Sequence, residues 1–403
     1  MIFIEVILVI TFLNLYSCNS DAGDENTIEL TGNINNRVKS REFPSVFQAW
    51  GDATNLPSET INETRARHDL VWWGISDADG LVWDTDPVGG YRVLSTGFTD
   101  ASIEKGLNFR RVMLNYNPNI ILLANLNYRG AKSAWLPDNH EWWLRDTDGN
   151  KIVSWTGGGE PWYMLDFANP ELRSQVAEWA RAAIKSGVYD GVLLDWWDED
   201  EKPDARMALL KSVRSVIGDT FLIVVNANDR YSIKSAPYIN GVFMETAAKT
   251  PTTPVRWEEI KNVLIWNQKN VLEPKLVCLE VWYENSREES NRMRAVTTMS
   301  MILSDGYCLF SEPNSVPGID HKHDWYSFWD KRLGKATEGG SLQSNGAYRR
   351  KFENGYAVYN PMGNGPVTVE FQMDLFRVST GEMAKSHILM DQDGEIFLNS
   401  KTF

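Results

Sequence analysis

From Ser45 onward, short apolar runs alternate with amphipathic stretches along the chain. Eight runs read as strands: residues 46–50, 69–74, 120–126, 190–195, 221–226, 241–245, 275–281 and 307–311. Most are apolar at nearly every position rather than at every second one, as strands covered on both faces must be. Between them, apolar residues recur at helical spacing. The clearest helix opens at Asn169-Pro170-Glu171, with Asn as N-cap and Pro at the first helical position. Its buried face would use Val176, Trp179, Ala180 and Ala183. Further helical patterns cover residues 100–114, 205–217, 255–270 and 287–303. Eight strands alternating with helices predict a (β/α)8 TIM barrel over residues 43–335, in the α/β class. The rival, a doubly wound open sheet, finds neither a G-x-G-x-x-G turn nor a P-loop to support it.

The third connection, residues 129–161, is long and carries Trp135, Trp142, Trp143, Trp155 and Gly157-Gly158-Gly159. Long loops in compact domains are often functional, and a βα loop of a barrel lies at the face where active sites sit. Trp142 and Trp143 are therefore expected to cover the substrate. Past residue 340 the pattern changes to short alternating strands, at 347–352, 356–359 and 367–371, separated by Gly and Asn turns. This predicts a small all-β domain over residues 340–403.

Residues 1–16 are apolar but short for a membrane span, which needs about 20 residues. They read as a secretory signal, with Leu15-Tyr16-Ser17-Cys18 resembling a lipobox. The expectation is a signal peptide over residues 1–18, a polar tether over 19–42, and a chain exported to the periplasm or cell surface, with Cys18 as the residue for a lipid anchor. Three cysteines do not make a disulfide framework, and Cys278 and Cys308 sit in apolar runs as core residues.

Composition narrows the partners. The 403 residues carry a net charge of −14, which argues against nucleic acid. Apolar residues make up 43% and charged residues 23%, a globular balance. Seventeen Trp are more than an ordinary core requires. Trp72, Trp73, Trp196, Trp197 and Trp282 fall at or near strand ends, where flat rings could lie against sugar rings, the last four being the candidate contacts.

Several apolar strands end in an acid. Asp195 closes the fourth and Glu245 the sixth; Glu280 ends the seventh and Glu312 follows the eighth. A charge at the end of an apolar strand is costly unless it is paired or functional. For any one acid, a solvated end or a salt bridge is an equal explanation. Asp195 and Glu245 share a Gly-Val-apolar-apolar-carboxylate pattern, which favours a joint role. Glycosidic cleavage commonly uses two carboxyl groups flanking the scissile bond. Asp195 and Glu245 are thus the candidate catalytic pair. Asp166, Asp198, Asn226, Glu280 and Glu312, with the four Trp above, are candidate substrate contacts. For Asp166, a bond to backbone near a helix start is the commoner role.

Other signals fail. His321-Lys322-His323 has a metal-site spacing but follows the eighth strand, and His140-Glu141-Trp142-Trp143 has Leu144 where a second ligand is needed. No metal and no cofactor are expected.

The ordered series Val46-Phe47-Gln48-Ala49-Trp50, Arg67-His68-Asp69-Leu70, Leu165-Asp166 with Asn169-Pro170, Gly191 to Asp195 and Gly241 to Glu245 resembles glycosyl hydrolase-like family fifteen, a barrel family. Asn354-Gly355 and Asn360-Pro361 resemble its following β-domain. The resemblance implies hydrolysis of a glycosidic bond in a polysaccharide or oligosaccharide. By analogy with α-galactosidases, whose acids follow strands four and six, it makes Asp195 nucleophile or base and Glu245 the proton donor. Here the sixth-strand acid is Glu rather than Asp. The alternative is a non-catalytic carbohydrate-binding barrel, such as a surface glycan receptor.

Overall fold

The computed structural model describes residues 33–156, 159–246, 252–283, 285–312 and 321–400. The expected signal segment, Cys18, Gly157 and Gly158 lie outside these.

Eight parallel strands form the first sheet: β1 Phe47–Ala49, β2 Leu70–Gly74, β3 Ile121–Leu126, β4 Gly191–Leu194, β5 Leu222–Asn226, β6 Gly241–Glu245, β7 Leu276–Trp282 and β8 Tyr307–Ser311. They follow one another in chain order, and a parallel bridge from Val46 to Cys308 joins the last strand to the first. The sheet is therefore a barrel, as the apolar runs predicted. Every residue of β1 to β4 is buried, because the barrel interior fills one face and helices cover the other. Those helices are α1 Ile34–Ser40, α2 Ile61–Ala66, α3 Asp100–Tyr116, α4 Pro170–Lys185, α5 Pro203–Ile217, α6 Pro254–Asn270 and α7 Ser290–Leu303. The Asn169 carboxamide accepts the backbone N–H groups of Glu171 and Leu172, so the predicted cap is present. Between β5 and β6 stands only a single 3-10 turn, Ala236–Tyr238.

The shared Gly that opens β4 and β6 has a packing cause. A Cβ on Gly191 would overlap the Leu222 carbonyl of β5, and one on Gly241 the Leu276 carbonyl of β7. Both strands enter the barrel where only bare backbone fits.

At the N-terminal end of the strands, Asp190 ties four elements together. It accepts from Arg110 of α3 at 2.7 Å and from Leu122 N–H of β3 at 2.9 Å, and it pairs with Arg37 of α1. Arg37 also donates to the Ile120 carbonyl at 2.6 Å and Arg110 to the Val188 carbonyl at 2.8 Å. All three charged side chains are buried. Burial pushes the Asp190 carboxyl up, but the two guanidiniums outweigh it and hold the group below its usual range.

A six-stranded antiparallel sheet follows: β9 Ser341–Leu342, β10 Tyr348–Phe352, β11 Gly355–Asn360, β12 Val367–Arg377, β13 Met383–Leu389 and β14 Asp393–Leu398, in the order β9-β10-β11-β14-β12-β13. It leans on α7. Arg294 of that helix grips Asp393 through two bonds of 3.0 and 2.9 Å, and Arg350 donates to the Met301 carbonyl at 2.7 Å. Cys278 and Cys308 are buried free thiols of the barrel core. Among the described residues, no helix is long and apolar enough to cross a membrane.

Asp190→Asn leaves two buried cations short of their counter-charge. It should lower the unfolding free energy in urea by about 3–5 kcal/mol. A loss below about 1 kcal/mol would show that the cluster does not hold the elements together.

Candidate active site

The C-terminal ends of the strands surround a cavity of about 890 Å³ lined by Asp195, Asn226 and Glu245 and by the rings of Trp50, Trp155, Trp162, Trp196 and Trp282. Three consecutive barrel strands supply the polar centre. Asp195 follows β4 directly, Asn226 is the last residue of β5, and Glu245 is the last residue of β6. One nitrogen joins them: Asn226 Nδ2 donates to Asp195 Oδ1 at 2.8 Å and to Glu245 Oε2 at 2.7 Å. Asn226 Oδ1 accepts the backbone N–H of Asn228 at 3.2 Å, which fixes the amide with its nitrogen toward the two acids. Asp195 Oδ1 also accepts the N–H of Trp196 at 2.9 Å. Trp196 has a φ of 54°, a left-handed turn for a non-glycine residue, and the residue lines the cavity while 47% exposed.

The electrostatics separate the acids. Burial pushes the Glu245 carboxyl up from 4.5 to about 7. His321 pulls it the other way, Glu280 and Asp195 push it further up, and the Asn226 bond pulls it down. A group titrating near neutrality can both hold and release a proton.

The structure sorts the other candidates. Trp196, Asp198 and Trp282 line the cavity. Asp198 stands 3.8 Å from Arg230. Trp197 touches the cavity but is buried, its indole N–H donating to Ser235 Oγ at 2.8 Å. Trp73 does not reach it. Successive strand residues face opposite ways, so Trp72 enters the barrel and stacks on Phe47, while Trp73 packs outward on Phe109 and Arg65. Asp166 accepts the Ala168 N–H at 3.1 Å and pairs with Lys202 at 2.7 Å, away from the cavity lining and in the local role that is commoner for such a residue. Glu312 faces Arg287 at 3.7 Å and is not part of the lining. Glu280 does not end its strand, which continues to Trp282; it is fully buried and accepts from Ser311 Oγ at 2.5 Å and from His321 Nδ1 at 2.8 Å.

The third connection carries its own three-stranded antiparallel sheet, from Gly130–Lys132, Val153–Trp155 and Trp162–Met164. Its cavity-facing rings are Trp155 and Trp162, not Trp142 and Trp143. Trp142 and Trp143 are buried inside the connection, with the Trp143 indole N–H donating to the Pro137 carbonyl at 2.9 Å. His321, set aside as half of a failed metal spacing, lines the cavity. Among the described residues, no group of three or more His, Cys, Asp or Glu is placed to hold a metal.

The family model described as hypothetical glycosyl hydrolase family 15 matches residues 114–356, more than half of the chain. The chain belongs to that family. The match spans Asp195, Asn226, Glu245, Glu280 and His321. Comparison with curated proteins gives no match. Among solved structures, a maltogenic α-amylase from Thermotoga neapolitana is similar, with a TM-score of 0.50 and 10% identity over 88% of this chain and 98% of that one. An α-amylase from Malbranchea cinnamomea has a TM-score of 0.51 and 12% identity over 90% and 96%. A debranching enzyme from Nostoc punctiforme has a TM-score of 0.51 and 13% identity over 90% and 98%. At such identities the likeness establishes the shared barrel and C-terminal β-domain.

Two expectations follow. A carboxyl titrating near 7 in the folded chain and near 4.5 when unfolded stabilises the fold fully below pH 4.5 and loses that contribution as pH rises through 7. Glu245→Gln stays neutral throughout. Its melting temperature relative to the parent should therefore climb between those pH values and level off above them; a pH-independent difference would contradict the shift. Trp142→Ala should cost about 3–5 kcal/mol of stability and Trp155→Ala under about 1 kcal/mol, as core and rim residues do. Equal losses in chemical denaturation would place both rings in the core.

Proposed function

We propose that this family member is a glycoside hydrolase that cleaves an oligosaccharide or polysaccharide with retention of anomeric configuration, Asp195 as nucleophile and Glu245 as acid and then base. The observation that carries the reading is the shared Asn226 nitrogen. Two oxygens bonded to one atom at 2.8 and 2.7 Å stand no more than about 5.5 Å apart. Retaining enzymes hold their carboxyl groups about 5–5.5 Å apart, and inverting ones leave about 6.5–9.5 Å for a water.

In this reading Glu245, carrying its proton near neutral pH, donates it to the glycosidic oxygen as the bond to the anomeric carbon breaks. Asp195 attacks that carbon from the opposite face and forms a glycosyl ester. Water then enters, Glu245 takes one of its protons, the hydroxyl attacks the anomeric carbon, and Asp195 leaves as carboxylate. The rings of Trp50, Trp155, Trp162, Trp196 and Trp282 offer apolar faces to sugar rings. The Nostoc enzyme was soaked with acarbose, a carbohydrate ligand in a similar barrel; we carry over the ligand class and not the particular sugar.

A glycan-array screen followed by reducing-sugar release on the hits would identify a substrate. Asp195→Asn should then lower kcat at least about 10³-fold with glycan binding and melting temperature retained, and proton NMR should show the product first in the substrate's own anomeric form. A first product of inverted configuration would exclude the retaining mechanism. Binding by the parent chain without turnover on any hit would favour a glycan receptor.

A further inference from the structure

Glu280 and His321 stand behind the acid pair. Glu280 lies in β7 in direct register with Glu245 of β6, so both side chains point into the barrel from neighbouring strands. A carboxylate with no solvent exposure is costly unless it is compensated. The compensation comes from two donors: the Ser311 hydroxyl at 2.5 Å and His321 Nδ1, which reaches both carboxylate oxygens at 3.0 and 2.8 Å. With Nδ1 held by Glu280, the opposite edge of the imidazole, with Nε2, is directed away from that carboxylate. The ring is clamped as well as bonded. It stacks on Trp50 with centroids 4.9 Å apart, meets Trp282 and Phe243 at 5.8 Å, and forms part of the cavity wall. An aromatic face beneath a ring favours the charged imidazole, as the buried carboxylate does.

We propose that His321, fixed by the buried Glu280 carboxylate, is a positioning residue whose ring carries the positive charge that restrains Glu245 as the proton-exchanging acid of the site. The inference rests on the reading of Glu245 as that acid. Among the described residues, the groups facing Glu245 are Asp195 from β4, the neutral Asn226 amide from β5, Glu280 from β7, and His321 from the segment after β8. Of these, Glu280 and Asp195 push its proton affinity up and His321 opposes them. Without the cation, the acid would hold its proton too tightly to return to the ionised state that the second half of the reaction needs. His323, two residues on, is not a second cation of this kind. Its Nδ1 donates to the His321 carbonyl at 3.0 Å and its Nε2 meets the His68 ring rather than a carboxylate, so burial pushes it toward the neutral form.

Two measurements test this on the protein without substrate, so they pass or fail whether or not the chain hydrolyses a glycan. Nitrogen-15 NMR of the parent should show His321 with both ring nitrogens protonated at pH 7.5; a neutral ring there would overturn the proposal. Carbon-13 titration of Glu245, assigned with Glu245→Gln, should show its midpoint moving up by about one pH unit in His321→Gln. A purely structural His321 would lower stability and leave the midpoint in place, which would equally overturn it. On an identified substrate, the alkaline limb of kcat/KM should move by the same amount.

Discussion

Two carboxyl groups on alternate strands of a barrel repel each other when both are charged, and water would ordinarily screen them. Here β5 stands between β4 and β6 and ends in Asn226, whose amide nitrogen donates to both acids. That bridge limits the distance between Asp195 and Glu245, and in the proposed mechanism that distance selects the retaining course. An amide suits the position because it supplies two donors from one atom without adding charge. An acid there would bring three carboxylates together, and a cation would favour ionisation of both acids and leave neither as a proton donor.

The surrounding structure keeps the bridge in place. Glycines at the start of β4 and β6 let neighbouring backbones close on each other. At the opposite end of the strands, Asp190 and its two arginines join α1 and α3 to the barrel, so one face of the strands is held by charge while the other is left for chemistry. Glu245 is buried enough to retain a proton near neutrality, and Glu280 with His321 sets opposing charges behind it. The cavity is lined by both indole rings and polar side chains, a mixture suited to sugars.

Much of this was legible in the sequence. All eight barrel strands were readable as apolar runs, because burial on both faces leaves a continuous signal. That same continuity hid which residues face inward. Trp72 and Trp73 are equally apolar neighbours, and only the pleat separates the barrel interior from the outer shell. The seventh strand was read as stopping at Val281. It continues to Trp282, so Glu280 is enclosed within the strand instead of standing at its mouth. Trp142 and Trp143 were misplaced because the long third connection has a small core of its own, which composition does not reveal. His321 went unrecognised because its partner Glu280 is 41 residues away in sequence. No local spacing encodes that pair. The last two strands of the C-terminal sheet, β13 and β14, were also missed; β13 is mostly exposed and mixed in polarity. Of the candidate site, the strand-end pattern supplied Asp195, Glu245 and Asn226, while the bond that makes them one unit required the fold.

The central claim is that Asp195 forms a covalent bond to the sugar while Glu245 exchanges protons. Intact-protein and peptide mass spectrometry after incubation with a panel of activated fluorosugars tests it most directly, because a slowed second step lets the glycosyl-enzyme accumulate. The account predicts a single added glycosyl residue on the peptide that contains Asp195, lost in Asp195→Asn. A label carried instead by Glu245 would contradict it.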